Sequence, residues 1–214
     1  MNKDSVDKDK QTKKSKINIK EIRSWILITL LAFLAVFIFG SKVYAKVPID
    51  QSSMEKTLFS KNQVIEDIIS YNFNDPERGD IIIFYPNEEK GSILKDFNRL
   101  FDNVISAFDK NTARIEKHQR YVKRVIGIEG DVIDIRDGYV FLNDEKLEEP
   151  YVKGLTAPNG CNLPVTVGKD ELFVMGDNRK VSIDSRELGV IHKKQVEGKV
   201  IFRVYPLNKM GKVK

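Results

Sequence analysis

One unbroken apolar stretch, "SWILITLLAFLAVFIFGSKVYA" at residues 24–45, constrains this chain more than any other feature. Lys42 is its only charge and Gly40 its only glycine. A helix rises 1.5 Å per residue, so about 20 residues cross a hydrocarbon core of roughly 30 Å. The stretch is long enough to span. Lys42 lies near one end, where its stem can snorkel toward headgroups, and Trp25 and Tyr44 occupy the places of interfacial aromatics. Residues 1–23 carry eight Lys/Arg against four Asp/Glu and so supply +4 of the formal net charge of +5. A basic flank of this kind stays cytoplasmic, which sends everything after residue 45 to the outer face. Val43, Tyr44 and Ala45 also resemble a signal-peptide cleavage site, but the long polar lead and long apolar run favour an uncleaved anchor. The expected location is therefore the cell membrane, single-pass, with the lipid bilayer as a partner.

Past the tail the chain is nearly neutral, so no basic face remains to suggest nucleic acid. The length of 214 residues suits one sizeable domain plus an appendage. The expected division is a basic cytoplasmic tail at 1–23, an anchor at 24–45 and an extracytoplasmic domain at 46–214. Cys161 is the only cysteine, which rules out an intramolecular disulfide. No H-E-x-x-H or paired C-x-x-C is present, so no metal and no cofactor are expected.

Beyond the anchor the sequence reads as mainly β. Residues 79–85, 121–128, 131–144, 171–177 and 198–206 are rich in Ile, Val, Phe and Tyr and are punctuated by Gly or Asp. In the third of these, "RDG" separates two runs with apolar residues at Val132, Ile133 and Ile135, then at Tyr139, Val140, Phe141 and Leu142, the signal of a hairpin. One segment departs from the pattern. Within an insert at about 87–119, Ile93, Leu94, Phe97, Leu100, Phe101, Val104, Ile105 and Phe108 fall at helical spacing. The spacing predicts an amphipathic helix over 92–118, packed on the β core or lying on a membrane surface or partner.

A serine hydroxyl is a poor nucleophile until a base removes its proton. Ser53, in "QSSMEKTL", has three candidate partners. Lys56 is nearest and forms an S-x-x-K pattern like that of penicillin-interacting enzymes. Ser70-Tyr71-Asn72 fits their second element only loosely, and K-T-G is absent. His118 and His192 could serve a triad, though neither stands in a recognisable catalytic setting. Lys123, in "QRYVKRVIG", shares a strand face with Tyr121 and Val125, while Val122, Arg124 and Ile126 take the other. If buried, its charged form is disfavoured and the neutral amine can act as a general base. By pattern alone, an exposed strand lysine is the plainer reading.

Four stretches, in order after the anchor, change that balance: "SSMEKTL", "RGDIIIF", "YVKRVIGIEGD" and "GDNRKVSIDSRELG". Together they resemble the type I (leader) signal peptidases, membrane-anchored serine proteases with a Ser-Lys dyad. The resemblance covers the anchor and residues 47–206 except 86–119, and implies a β-sheet, barrel-like fold carried by one transmembrane helix, into which the amphipathic helix read from spacing is inserted. It implies that Ser53 is the nucleophile and Lys123 its base, with Ser182 holding the lysine amine and Asp184 and Arg186 bracing that corner as an ion pair. The Ser53 N–H would bind the oxyanion. Where relatives commonly place a hydroxyl two residues before the nucleophile this chain has Gln51, the second oxyanion candidate. Relatives often have Pro where this chain has Lys56. Met54, Leu58, Tyr121 and Val122 match positions lining the substrate cleft. The implied substrates are exported preproteins cut after small-x-small, A-x-A-like motifs, with secretion machinery as an associated partner. The rival readings are a penicillin-interacting Ser-x-x-Lys enzyme and an anchored β domain that binds partners without catalysis.

Overall fold

The structure is a computed structural model that describes residues 19–87 and 119–213. The amphipathic helix expected at 92–118, His118 and the first 18 residues of the basic tail lie outside the described residues. Two units result, one ending at Ser41 and one beginning at Lys42. The first holds most of helix α1 (Ile19–Val43, 25 residues). Its side chains at 20–32 are exposed. Among the described residues no helix is long and apolar enough to cross a membrane, so the spanning expectation for 24–45 rests on sequence. The last two residues of that apolar stretch belong to a strand instead: Tyr44 and Ala45 open β1 (Tyr44–Pro48) and pair with Asp67 and Glu66.

The second unit is built from antiparallel strands in two sheets. Its strands after β1 are β2 (Gln63–Asp67), β3 (Ile81–Phe84), β4 (Tyr121–Gly127), β5 (Val132–Arg136), β6 (Tyr139–Leu142), β7 (Glu145–Lys146), β8 (Val165–Thr166), β9 (Glu171–Met175), β10 (Ile191–His192), β11 (Val196–Tyr205) and β12 (Gly211–Lys212). A four-residue helix, α2 (Ser185–Leu188), follows β9. The larger sheet runs β1-β2-β11-β3-β4-β9-β10, with β12 beside β11. It is an open path, so this barrel-like sheet is curled rather than closed. The smaller sheet runs β7-β6-β5-β8.

Strand β3 shows why the larger sheet is buried on both sides. Its four residues are all apolar and all buried, and alternation divides them between two cores. Ile81 and Ile83 join Met54, Leu58, Val64, Val122 and Val200. Ile82 and Phe84 join Val125, Leu172, Val174, Ile191 and Val196. A third cluster, including Ile126, Phe173 and Met175 from the larger sheet and Ile133, Ile135 and Val140 from the smaller, fastens the two sheets together. The expected hairpin is present as β5–β6, with Asp137 (φ 51°) and Gly138 (φ 82°) in the two-residue turn. Positive φ at both positions gives the twist such a turn needs.

For the site, the register of β4 matters most. It pairs with β3 across Tyr121 to Arg124 and with β9 only from Arg124 onward. Among the described residues, the edge of β4 from Tyr121 to Lys123 that faces away from β3 therefore carries no strand.

Candidate active site

The loop from β1 to β2 places Ser53 in a tight turn, in which the Glu55 N–H donates to the Ser52 carbonyl and the Leu58 N–H to the Met54 carbonyl. Met54 and Leu58, packed in the first core, pin that turn to the sheet. Lys123 comes from β4, opposite Ile82 of β3. Its Nζ donates to Ser53 Oγ at 2.8 Å and to the Val122 carbonyl at 3.1 Å. Both residues are buried, Ser53 at 7% exposure and Lys123 at 2%. The lysine that pattern alone would leave on the surface is thus interior, against the turn that carries Ser53.

Burial decides the charge of that amine. Removing an ammonium from water disfavours it, and desolvation pushes Lys123 down from the ordinary 10.5 to about 8. Asp184 pulls the other way and Arg186 opposes Asp184. These two form a fully buried fork, with Arg186 Nε on Asp184 Oδ1 and Nη2 on Oδ2, each at 2.8 Å. Burial also works against the Asp184 charge, but the fork, the Gly176 N–H and the Ser182 hydroxyl hold the carboxyl below the usual range. Asp184 caps α2 as well, accepting from the Arg186 N–H. Ser182 Oγ is buried at the same corner, near enough to the Asp184 carboxylate to favour its charge, and among the described residues it makes no hydrogen bond to the Lys123 amine.

Other residues of the corner carry no signal strong enough to be picked out in the sequence. Arg124, next to Lys123 on the opposite strand face, forks Asp177 at 2.9 and 2.8 Å and reaches the Gly79 carbonyl. Thr57 Oγ1 donates to the same Asp177 carboxylate. Arg179 forks Glu149 and donates to Thr156 Oγ1. The Asn178 N–H donates to the Ser53 carbonyl at 2.9 Å and its amide to the Ser52 carbonyl at 3.2 Å. Asp177 and Asn178 stand inside "GDNRK", so the available signal was membership of a family motif.

The remaining candidates are distributed as follows. The Gln51 amide donates to the Arg120 carbonyl at 2.8 Å, bridging the nucleophile segment to the approach to β4. Met54, Leu58 and Val122 are core residues. Tyr121 is half-buried, its ring centroid 5.1 Å from the Lys123 amine. Lys56 does not serve Ser53: its Nζ donates to the Pro150 and Val152 carbonyls. His192 is exposed and faces Glu171.

The description "Signal peptidase, peptidase S26" matches residues 22–205. Signal peptidase IB of Staphylococcus aureus (strain COL) is 30% identical over 207 residues, covering 88% of this chain and 92% of its own. Signal peptidase I of Leptolyngbya laminosa is 33% identical over 165 residues, covering 77% of this chain and 70% of its own. A crystal structure of a signal peptidase I from Enterococcus faecalis shares 26% identity and covers 59% of this chain and 97% of its own, with a TM-score of 0.41.

Gly176 is the tightest point of the corner. A Cβ there would lie 2.5 Å from the Ser53 carbonyl oxygen and 2.2 Å from Ser182 Oγ. Overpacking of this kind costs about 1–3 kcal/mol. Gly176→Ala is expected to lower the thermal midpoint of unfolding by several degrees, measured by calorimetry against the parent.

Proposed function

Because this chain belongs to the signal peptidase family, whose members are serine endopeptidases that remove signal peptides, we propose that it does so with a Ser53–Lys123 dyad at the outer membrane surface. The observation that carries the proposal is the 2.8 Å hydrogen bond between Lys123 Nζ and Ser53 Oγ in a buried setting. The neutral amine takes the hydroxyl proton as Oγ attacks the scissile carbonyl. The Ser53 N–H holds the oxyanion, with Gln51 as the second donor once its amide, which donates to the Arg120 carbonyl in the free protein, turns toward the substrate. The new ammonium then gives its proton to the leaving amine, and the C–N bond breaks to leave an ester on Ser53. Water, deprotonated by the same lysine, hydrolyses that ester and regenerates the hydroxyl.

Ser182 and the Asp184–Arg186 fork fix the lysine's corner. The preprotein lies extended along the unpaired edge of β4, adding a strand beside Tyr121 and Val122. Shallow apolar walls at Tyr121 and Val122, backed from the core by Met54 and Leu58, suit small residues at the first and third positions before the cut. The apolar stretch from residue 24 to the end of α1 at Val43 anchors the chain, with 1–23 in the cytoplasm and the sheet that begins at Tyr44 outside. An anchored site meets emerging preproteins at a raised effective concentration. The penicillin-interacting alternative loses its base, since the Lys56 amine is committed to two backbone carbonyls.

Incubation with a preprotein bearing an A-x-A site is expected to give the mature product. Ser53→Ala and Lys123→Ala are each expected to abolish cleavage, and labelled penicillin is expected not to acylate Ser53. Cleavage surviving either substitution removes the dyad.

The base must be neutral to work, so its active fraction grows as pH rises through its pKa. With Lys123 at about 8, kcat/KM is expected to fall about tenfold per pH unit well below that value and to level off above it. An acid limb centred near the ordinary lysine value contradicts the assignment.

A further inference from the structure

Lys56 is the member of the S-x-x-K motif to which the dyad gives no task, yet its placement is specific. We propose that Lys56 is a positioning residue: its ammonium ties the nucleophile turn to a strap, residues 149–153, that also grips the base strand and the 176–179 turn. The proposal rests on the reading of Ser53 as nucleophile.

Lys56 adopts φ 95°, the left-handed region that glycine occupies freely and a residue with a Cβ occupies at a cost. Proline, whose ring holds φ near −65°, could not sit there without moving the turn. The backbone thus prefers glycine at this point, and what lysine adds is a cation on a long stem. That cation donates to the Pro150 carbonyl at 2.5 Å and the Val152 carbonyl at 3.2 Å. Hydrogen bonds from a charged donor are stronger than neutral ones.

The strap, in the connection from β7 to β8, is fastened on every side. Lys153 Nζ pairs with Glu55 of the nucleophile turn at 2.7 Å. The Lys153 N–H donates to the Asp177 carbonyl at 2.7 Å, and its carbonyl accepts from the Arg179 N–H at 3.3 Å. The Tyr151 ring lies 3.9 Å from the Arg124 guanidinium, and Glu149 forks Arg179. One short segment therefore registers the nucleophile turn against both the strand that bears Lys123 and the turn that bears Asn178, the donor to the Ser53 carbonyl. Among the described residues, Lys56 and Lys153 are its side-chain ties to the nucleophile turn. Cutting it leaves the environment of the Lys123 amine in place and loosens the aim of the Ser53 hydroxyl, an error to which rates are sensitive.

The test uses the full-length chain in lipid–detergent micelles, cleaving an A-x-A preprotein across a range of pH. Lys56→Met is expected to lower kcat about tenfold or more, with KM within about twofold and the acid limb still centred near 8. Lys56→Arg keeps a multidonor cation and is expected to stay within about threefold of the parent. Lys56→Gly frees the backbone but lacks the cation, and is expected to match Lys56→Met. Parental kcat in Lys56→Met, full recovery in Lys56→Gly, an arginine variant as slow as the methionine one, or a displaced acid limb each overturns the proposal. Ser53→Ala, run alongside, separates the two readings: if it still cleaves, the nucleophile assignment itself has failed.

Discussion

Withdrawal of one lysine amine from water is the constraint on which the rest of the site depends. An ammonium buried as deeply as Lys123 is stable only if neighbouring anions compensate it, and here the nearest carboxylates are already engaged. Asp184 is forked by Arg186 and Asp177 by Arg124. Each fork keeps a carboxylate inside the protein, and Arg186 opposes the pull of Asp184 on the lysine, while Asp177 adds a smaller pull toward the charged form. Desolvation is left to dominate, and the amine is held partly neutral near physiological pH. Unpaired carboxylates at the same places would favour the charged form of the lysine.

The fold supplies this setting by bringing three segments to one point. Ser53 comes from a turn pinned by Met54 and Leu58, and Lys123 from a strand whose partner β3 is apolar on both faces. The supports come from the stretch leaving β9. Gly176 lets these meet, since its bare Cα fits between the Ser53 carbonyl and the Ser182 hydroxyl. Among the described residues the same geometry leaves one edge of β4 without a strand beside Ser53 and Lys123.

Much of the β framework was legible because long runs of Ile, Val and Phe have few other uses. The β5–β6 hairpin was marked by Asp137-Gly138, and β9 and β11 by apolar runs. Strands β7, β8, β10 and β12 are two residues each, too short for alternation to register. β1 was hidden for another reason: Tyr44 and Ala45 continue the apolar stretch without a break, and only pairing with β2 distinguishes strand from anchor. At the site, Ser53 and Lys56 are close in sequence whereas Ser53 and Lys123 are 70 residues apart, so local spacing offered Lys56 as a partner and only the family resemblance pointed to Lys123, the lysine whose amine meets the Ser53 hydroxyl. The Arg124–Asp177 fork was invisible because alternation assigns Arg124 a face without saying that the face is buried.

The most direct measurement is the titration of the Lys123 amine itself, followed by NMR of protein carrying 13C at lysine Cε, with Lys123→Ala used to assign the signal. A single transition near 8, well below those of the surface lysines, is the predicted result. A Lys123 signal that titrates with the surface lysines, near the ordinary value for a solvated amine, would contradict the account.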